Sequence, residues 1–140
     1  MLTYTKPLPV YNAIDAPYWQ ALFQHELRMQ KCSACDKIWF PPGSVCPKCL
    51  CEKYHWEKLK GTGKIWSWVV FHKLYIPSYS DDIPYNVAAV KLDEGPMLTS
   101  NIVQCSNDTI KCDMPVEIVF DDVTKEITLP VFRPSGKRSI

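Results

Sequence analysis

The chain has 140 residues, 46% of them hydrophobic, with sixteen basic and fifteen acidic side chains and a formal net charge of +1. That is enough apolar material for a real core in one domain or two small modules. So even a charge balance argues against duplex nucleic acid as a partner.

No apolar run approaches the ~20 residues of a membrane helix, and the first residues lack the charged and apolar regions of a secretory signal. A cytoplasmic location is expected, with no membrane contact.

Residues 1–25 are read as an extended arm followed by a short helix. Asp15 is placed to cap that helix and Pro17 is tolerated in its first turn. Trp19, Leu22 and Phe23 fall at i, i+3 and i+4 and predict one apolar face packed on the same chain. The sharper alternative docks Tyr18, Trp19 and Phe23 on a partner subunit.

Residues 26–58 are read as a small metal-bearing ribbon. From Glu26 to Lys31 the period drops to two, with Leu27 and Met29 on one side and Arg28 and Gln30 on the other. Ile38-Trp39-Phe40 predicts a second strand, stopped by Pro41-Pro42-Gly43. Between and after these strands lie Cys32-x-x-Cys35 and Cys46-x-x-Cys49, separated by ten residues. Two thiolate pairs on separate loops can meet tetrahedrally around one ion, and zinc is expected. Four sulfurs fill its coordination sphere, so the ion is structural and has no position for a reacting water.

Iron in the same geometry is the minor alternative and would make an electron carrier. Seven cysteines, an odd number, argue against a closed disulfide framework. Asp36 and Leu50 stand where a glycine often follows the second cysteine of a knuckle. Cys51 is read as free, and Cys105 and Cys112 as small core or loop residues.

Residues 59–135 turn all-β, and 136–140 form a tail. Lys64 to His72 predicts a strand with Ile65, Ser67, Val69 and Phe71 on one face and Trp66, Trp68, Val70 and His72 on the other. A loop with Pro77, Asp81, Asp82 and Pro84 follows. Asn86–Leu92 and Met97–Val103 are strands joined at Asp93-Glu94-Gly95-Pro96. Val116 to Asp121 alternates with Val116, Ile118 and Phe120 inward, and Thr128–Phe132 is the last strand. Five strands of this length suit a small OB-type barrel.

Catalytic patterns do not emerge. The five glycines build neither a phosphate loop nor a dinucleotide turn. His25, His55 and His72 sit in no ligand or triad pattern, there is no Gly-x-Ser-x-Gly elbow, and the acidic pairs fall at turns. The chain is expected not to be an enzyme on its own.

In order along the chain, several stretches carry a resemblance. They are Tyr18-Trp19, Leu27-Arg28-Met29-Gln30-Lys31-Cys32, Phe40-Pro41-Pro42 with Cys46-Pro47-Lys48-Cys49, Trp56 and Gly61-Thr62-Gly63-Lys64-Ile65. Ile83-Pro84-Tyr85, Val90 to Pro96, Met114 to Phe120 and Leu129 to Pro134 complete the set. With these the chain resembles the zinc-ribbon plus OB-fold family once labelled "domain of unknown function thirty-five", accessory subunits of thiolase-like enzymes.

The resemblance implies an N-terminal helical segment, a rubredoxin-like zinc ribbon and a C-terminal OB barrel. It also implies hetero-oligomeric assembly with a thiolase-fold subunit that carries the nucleophile and acts on acyl-CoA by thiolysis, acyl transfer or retro-aldol cleavage. In size the chain is similar to stand-alone small subunits such as those of acylphloroglucinol acetyltransferase and benzoylsuccinyl-CoA thiolase. Asp113 and His25 depart from the family, which often has glycine there.

The accessory reading expects the Pro77–Pro84 loop, with Tyr79 and Tyr85, and the tail from Arg133 through Lys137 and Arg138 to reach the partner or a CoA phosphate. The competing reading is a single-strand nucleic-acid binder stacking bases on Trp66, Trp68, Tyr75, Tyr79 and Tyr85. Asp81, Asp82, Asp93 and Glu94 beside those aromatics count against it.

Overall fold

The computed structural model describes residues 6–135. Helix α1 spans Ala16–Phe23. Asp15 holds the N-cap position, but its carboxylate accepts from the Asn12 backbone N–H at 2.7 Å in the preceding turn. The expected side-chain cap is therefore not made.

The buried face is Tyr18, Ala21 and Leu22 rather than Trp19, Leu22 and Phe23, and Phe23 is 53% exposed. The helix is rolled by about one position because the Tyr18 ring, at i–4 from Leu22, packs on Phe40 at 5.1 Å. His25, at φ 61°, ends the helix and turns the chain into the ribbon.

The ribbon sheet has order β2-β1-β3, with β1 Arg28–Cys32, β2 Ile38–Trp39 and β3 Tyr54–Lys58. Strand β3 was not predicted, although Tyr54 and Trp56 alternate with His55 and Glu57. It pairs with β1 along its length, from Arg28↔Lys58 to Cys32↔Tyr54.

Strand β1 works on two faces, as its period of two predicts. Leu27 and Met29 enter the large core shared with the helix and barrel, whereas Cys32 packs with Trp39 and Cys46. Gln30 is fully buried between these worlds. Its Nε2 donates to the Gly43 carbonyl at 2.7 Å and its Oε1 accepts from the Gly43 N–H at 2.8 Å. Gln30→Leu removes both bonds to the loop between the knuckles, and about 2 kcal/mol of stability should go with them. A denaturant midpoint unchanged from the parent would refute this.

The second sheet has order β6-β5-β4-β7-β8, from β4 Thr62–Phe71, β5 Tyr85–Leu92, β6 Met97–Ser100, β7 Pro115–Asp122 and β8 Thr128–Pro134. It curls until its outer strands meet. Beyond β6, Ile102 forms a parallel bridge to Phe132, whose N–H donates to the Asn101 carbonyl at 3.0 Å and whose carbonyl accepts from Val103 N–H at 2.7 Å. This is the curled five-stranded sheet of an OB fold. Val116, Ile118 and Phe120 contribute to its core as the alternation predicts.

Strand β4 departs from its predicted alternation. The pairing with β5 shifts between Ile65 and Ser67, with Ile65 opposite Val90 and Ser67 opposite Ala89, so Trp66 is a bulged residue. A bulge inserts one residue and exchanges the faces beyond it. Ile65 is fully buried, but Val69, predicted to share its face, is 54% exposed, and Trp68 packs on the core instead.

The helix is fastened to the barrel at its far end. His25 stacks on Phe120 at 5.1 Å, and its Nε2 lies 3.0 Å from both carboxylate oxygens of Asp122. The Thr128 hydroxyl donates to the same carboxylate at 2.5 Å. The Thr128 hydrogen bond, then His25, lowers the Asp122 pKa from the usual value. A depressed carboxyl contributes stability above its unfolded pKa, near 4, which is lost as pH falls through the folded value. Wild type should therefore exceed Asp122→Asn in melting temperature at neutral pH, with the gap closing below about pH 4. A gap independent of pH would contradict that assignment. Among the described residues no helix is long and apolar enough to cross a membrane.

Candidate metal centre

The two knuckles are built alike, residue for residue. In the first, Cys32 N–H donates to the Lys37 carbonyl at 2.8 Å and Asp36 N–H to the Cys32 carbonyl at 3.1 Å. In the second, Cys46 N–H donates to the Cys51 carbonyl at 3.0 Å and Leu50 N–H to the Cys46 carbonyl at 2.9 Å. The leading sulfur of each accepts two backbone N–H bonds: Cys32 from Ala34 and Cys35 at 3.3 and 3.4 Å, Cys46 from Lys48 and Cys49 at 3.4 and 3.5 Å. The turn closes through left-handed residues, Asp36 at φ 63° and Leu50 at φ 66°, the two positions where glycine is common.

This construction brings the Sγ atoms of Cys32, Cys35, Cys46 and Cys49 within 4.8 Å of one another. Cys32 and Cys49 are 3.5 Å apart, and Cys35 and Cys46 3.6 Å. Sulfurs 2.3 Å from a central tetrahedral ion stand about 3.8 Å apart, so the cage has the right size for one.

The electrostatics also call for a cation. The Cys35 backbone N–H pulls Cys32 down to about 6, against the effect of burial, with Ala34 N–H helping. Cys49 feels a downward pull from the Cys51 N–H, yet the Cys32 sulfur, burial and the other two thiols carry it up to about 12. Four adjacent thiols do not all ionise unaided, and a metal cation at their centre would supply the missing charge. Cys51 lies outside the cage; its sulfur accepts from Lys53 N–H at 3.4 Å. Cys105 faces Thr109 Oγ1 at 3.0 Å, and Cys112 is exposed.

The other singled-out residues are dispersed. Tyr18 is 3% exposed and belongs to the chain's own core, and burial pushes its hydroxyl well above the usual pKa. Trp19 stacks with Tyr11 of the arm at 6.3 Å, and Phe23 projects beside it. Tyr85 lies between Phe71 at 5.2 Å and Tyr79 at 5.1 Å, with the Lys6 ammonium over the Tyr79 ring. Lys6 also pairs with Asp82. The Arg133 guanidinium is engaged by Glu117 at 2.7 Å across β7 and β8. Lys137 and Arg138 lie outside the described residues.

The aromatics named for base stacking do not form one platform. Trp66 is exposed beside Lys91 and Trp68 packs on the core, whereas Tyr75 and Tyr85 pack on Phe71 and Tyr79 lies tilted against Tyr85.

A four-cysteine ribbon sharing its core with an OB-type barrel defines a class, that of rubredoxin-like ribbon–barrel proteins. Residues 19–54 match the family model of the ChsH2 rubredoxin-like zinc ribbon domain, and residues 56–121 that of the ChsH2 C-terminal OB-fold domain. The chain belongs to the ChsH2-type DUF35 family.

Over 111 residues it is 38% identical to a DUF35 domain-containing scaffold protein of Methanothermobacter thermautotrophicus, covering 77% of this chain and 82% of that one. Over 132 residues it is 37% identical to a probable enoyl-CoA hydratase alpha subunit of Thermomonospora curvata, covering 93% of this chain. It spans 40% of that longer relative's length.

Among solved structures, the chain described as Ltp2-ChsH2(DUF35) aldolase superposes with a TM-score of 0.84 at 36% identity, over 92% of this chain and 100% of that one. A DUF35 protein of Sulfolobus solfataricus, at 17% identity and a TM-score of 0.58 over 76% of this chain and 78% of its own, shares the fold.

Proposed function

We propose that the chain is a non-catalytic accessory subunit that assembles with a thiolase-fold partner acting on acyl-CoA. In this role it shapes or covers the partner's active site while the partner performs thiolysis, acyl transfer or aldol-type cleavage. The observation that carries this reading is the likeness along nearly the whole chain to a protein described as part of an Ltp2-ChsH2(DUF35) aldolase.

The metal chemistry supports it. Four thiolates would hold zinc, rather than iron, as a structural ion with no free coordination position, so the ribbon is a scaffold and not a reaction centre. Exposed Phe23, half-buried Trp19 and the Tyr79–Tyr85 pair offer rigid aromatic contact of the kind that anchors protein interfaces.

The test is isolation of the tagged full chain from its native cells. A thiolase-fold subunit should co-purify, the complex should turn over a CoA ester, and neither subunit should do so alone. Full activity of the large subunit by itself would defeat the proposal.

A further inference from the structure

Strand β4 is ten residues long, yet β7 covers only its start: the pairing runs from Thr62↔Glu117 to Lys64↔Pro115. The next contact is the loop before β7, where Ile65 N–H donates to the Met114 carbonyl at 3.1 Å and Asp113 N–H to the Ile65 carbonyl at 2.8 Å. On the opposite side β5 stays paired as far as Phe71↔Tyr85. From Ser67 to Phe71, therefore, β4 has one satisfied edge and one edge with no strand beside it among the described residues.

Such an edge presents alternate backbone N–H and C=O groups that want a partner strand, and proteins usually protect it with charge, proline or a covering segment. Here the sequence from Ile65 to Phe71 contains no charge and no proline. The one bulge lies at the start of the open stretch and leaves the rest extended. Apolar side chains flank it: Trp66 is 59%, Val69 54% and Tyr75 65% exposed.

The charges around it choose the occupant. Lys64 and Lys73 bracket the edge, and between Lys58 and Ser80 the sequence has no acidic residue. Asp113 sits at the closed end, where β4 is already bonded. Two copies of this chain pairing in parallel would set Lys64 against Lys64 and Lys73 against Lys73. Like charges directly opposite destabilise a strand pair. Antiparallel pairing centred on Val69, the middle of the open stretch, would set Lys64 against Leu74 and Lys73 against Ile65, so neither ammonium would meet a carboxylate. An apolar strand flanked by carboxylates would meet opposite charge at both ends.

We infer that the open edge of β4, Ser67–Phe71, is a strand-acceptor site for an extended, apolar, acid-flanked segment of the partner subunit. Main-chain hydrogen bonds give such pairing its affinity and the flanking side chains its register. This rests on the accessory-subunit reading and adds to it a defined contact.

Amide exchange on the native complex and on the isolated full chain tests it. The outward amides of Ser67–Phe71 should exchange at least about tenfold more slowly in the complex. Lys64→Glu combined with Lys73→Glu, which sets like charge against the flanking carboxylates, should cut co-purification at least about tenfold, whereas Lys64→Arg combined with Lys73→Arg should keep it within about twofold. Metal content and circular dichroism certify that both variants fold.

An assembled complex with unchanged exchange at these amides overturns the inference and leaves the accessory role standing. Protection that grows with concentration of the isolated chain identifies a second copy as the occupant and also overturns it. Failure of the unsubstituted chain to bring down a thiolase-fold subunit defeats the accessory reading first, and this inference with it.

Discussion

Replacing Cys46 by serine is expected to abolish metal binding and to unfold the ribbon. Cys46 is fully buried, anchors the second knuckle through two N–H bonds to its sulfur and lies 3.6 Å from Cys35 Sγ. A serine hydroxyl stays protonated at neutral pH and offers neither the charge nor the reach of a thiolate. Structural zinc in small ribbons contributes about 10–16 kcal/mol, far more than a module of this size can draw from its own core.

The damage should spread. Leu27, just before β1, and Met29 on β1 belong to the same core as Ile65, Val90 and Phe132 of the barrel, so losing the ribbon exposes one wall of the barrel. Metal per chain should fall from one to below about 0.1, and exchange in β1, β2 and β3 should rise at least a hundredfold, to roughly the open-state limit. The barrel strands should loosen less. A chelator acting on the unsubstituted protein should reproduce the pattern. Full metal occupancy in Cys46→Ser, or a ribbon still protected without metal, would sink the structural role.

What could be read in the sequence divides along physical lines. The cage was legible because ligand spacing is a local property and thiolate chemistry leaves few alternatives. The left-handed positions carried a signal that reads in the sequence only as a departure from an expected glycine: His25, Asp36, Leu50 and Asp113, each standing where glycine is common, adopt φ of 61°, 63°, 66° and 65°. Gln104, at φ 56°, gave no such signal.

The face of α1 was misread because Tyr18 and Trp19 are adjacent aromatics on an eight-residue helix. Two stripes a hundred degrees apart are then almost equally apolar, and Phe40 decides between them from another part of the chain. The β4 bulge was invisible for a related reason. With Ile65 through Phe71 nearly all apolar, a period of two fits either phase, and the break is set by the partner strand. The open edge of β4 follows from where β7 stops, which no residue of β4 encodes.

The largest effect expected in the barrel comes from adding one methyl group, in Gly63→Ala. Gly63 is buried where β4 is paired on both sides, opposite Leu92 of β5 and Val116 of β7. A Cβ there would lie 2.3 Å from the Lys91 carbonyl oxygen and 3.0 Å from both the Lys91 carbonyl carbon and Leu92 Cα. All three are backbone atoms, so no rotamer change relieves the clash.

Strand β5 would have to move away from β4, and it carries Ala88, Val90 and Leu92 into the core. Overpacking that side chains can absorb costs about 1–3 kcal/mol; a displaced strand should cost at least the upper figure. For a chain of this length that is a fall of roughly 10 °C in melting temperature.

Gly95→Ala sharpens the comparison. Its φ of 118° is unfavourable for alanine, yet nothing stands within 4 Å of the added Cβ. Its penalty is conformational alone, about 1 kcal/mol. If Gly63→Ala proved no worse than Gly95→Ala, the close approach of β5 to β4 at this corner would be wrong, and with it the register that sets Gly63 opposite Leu92.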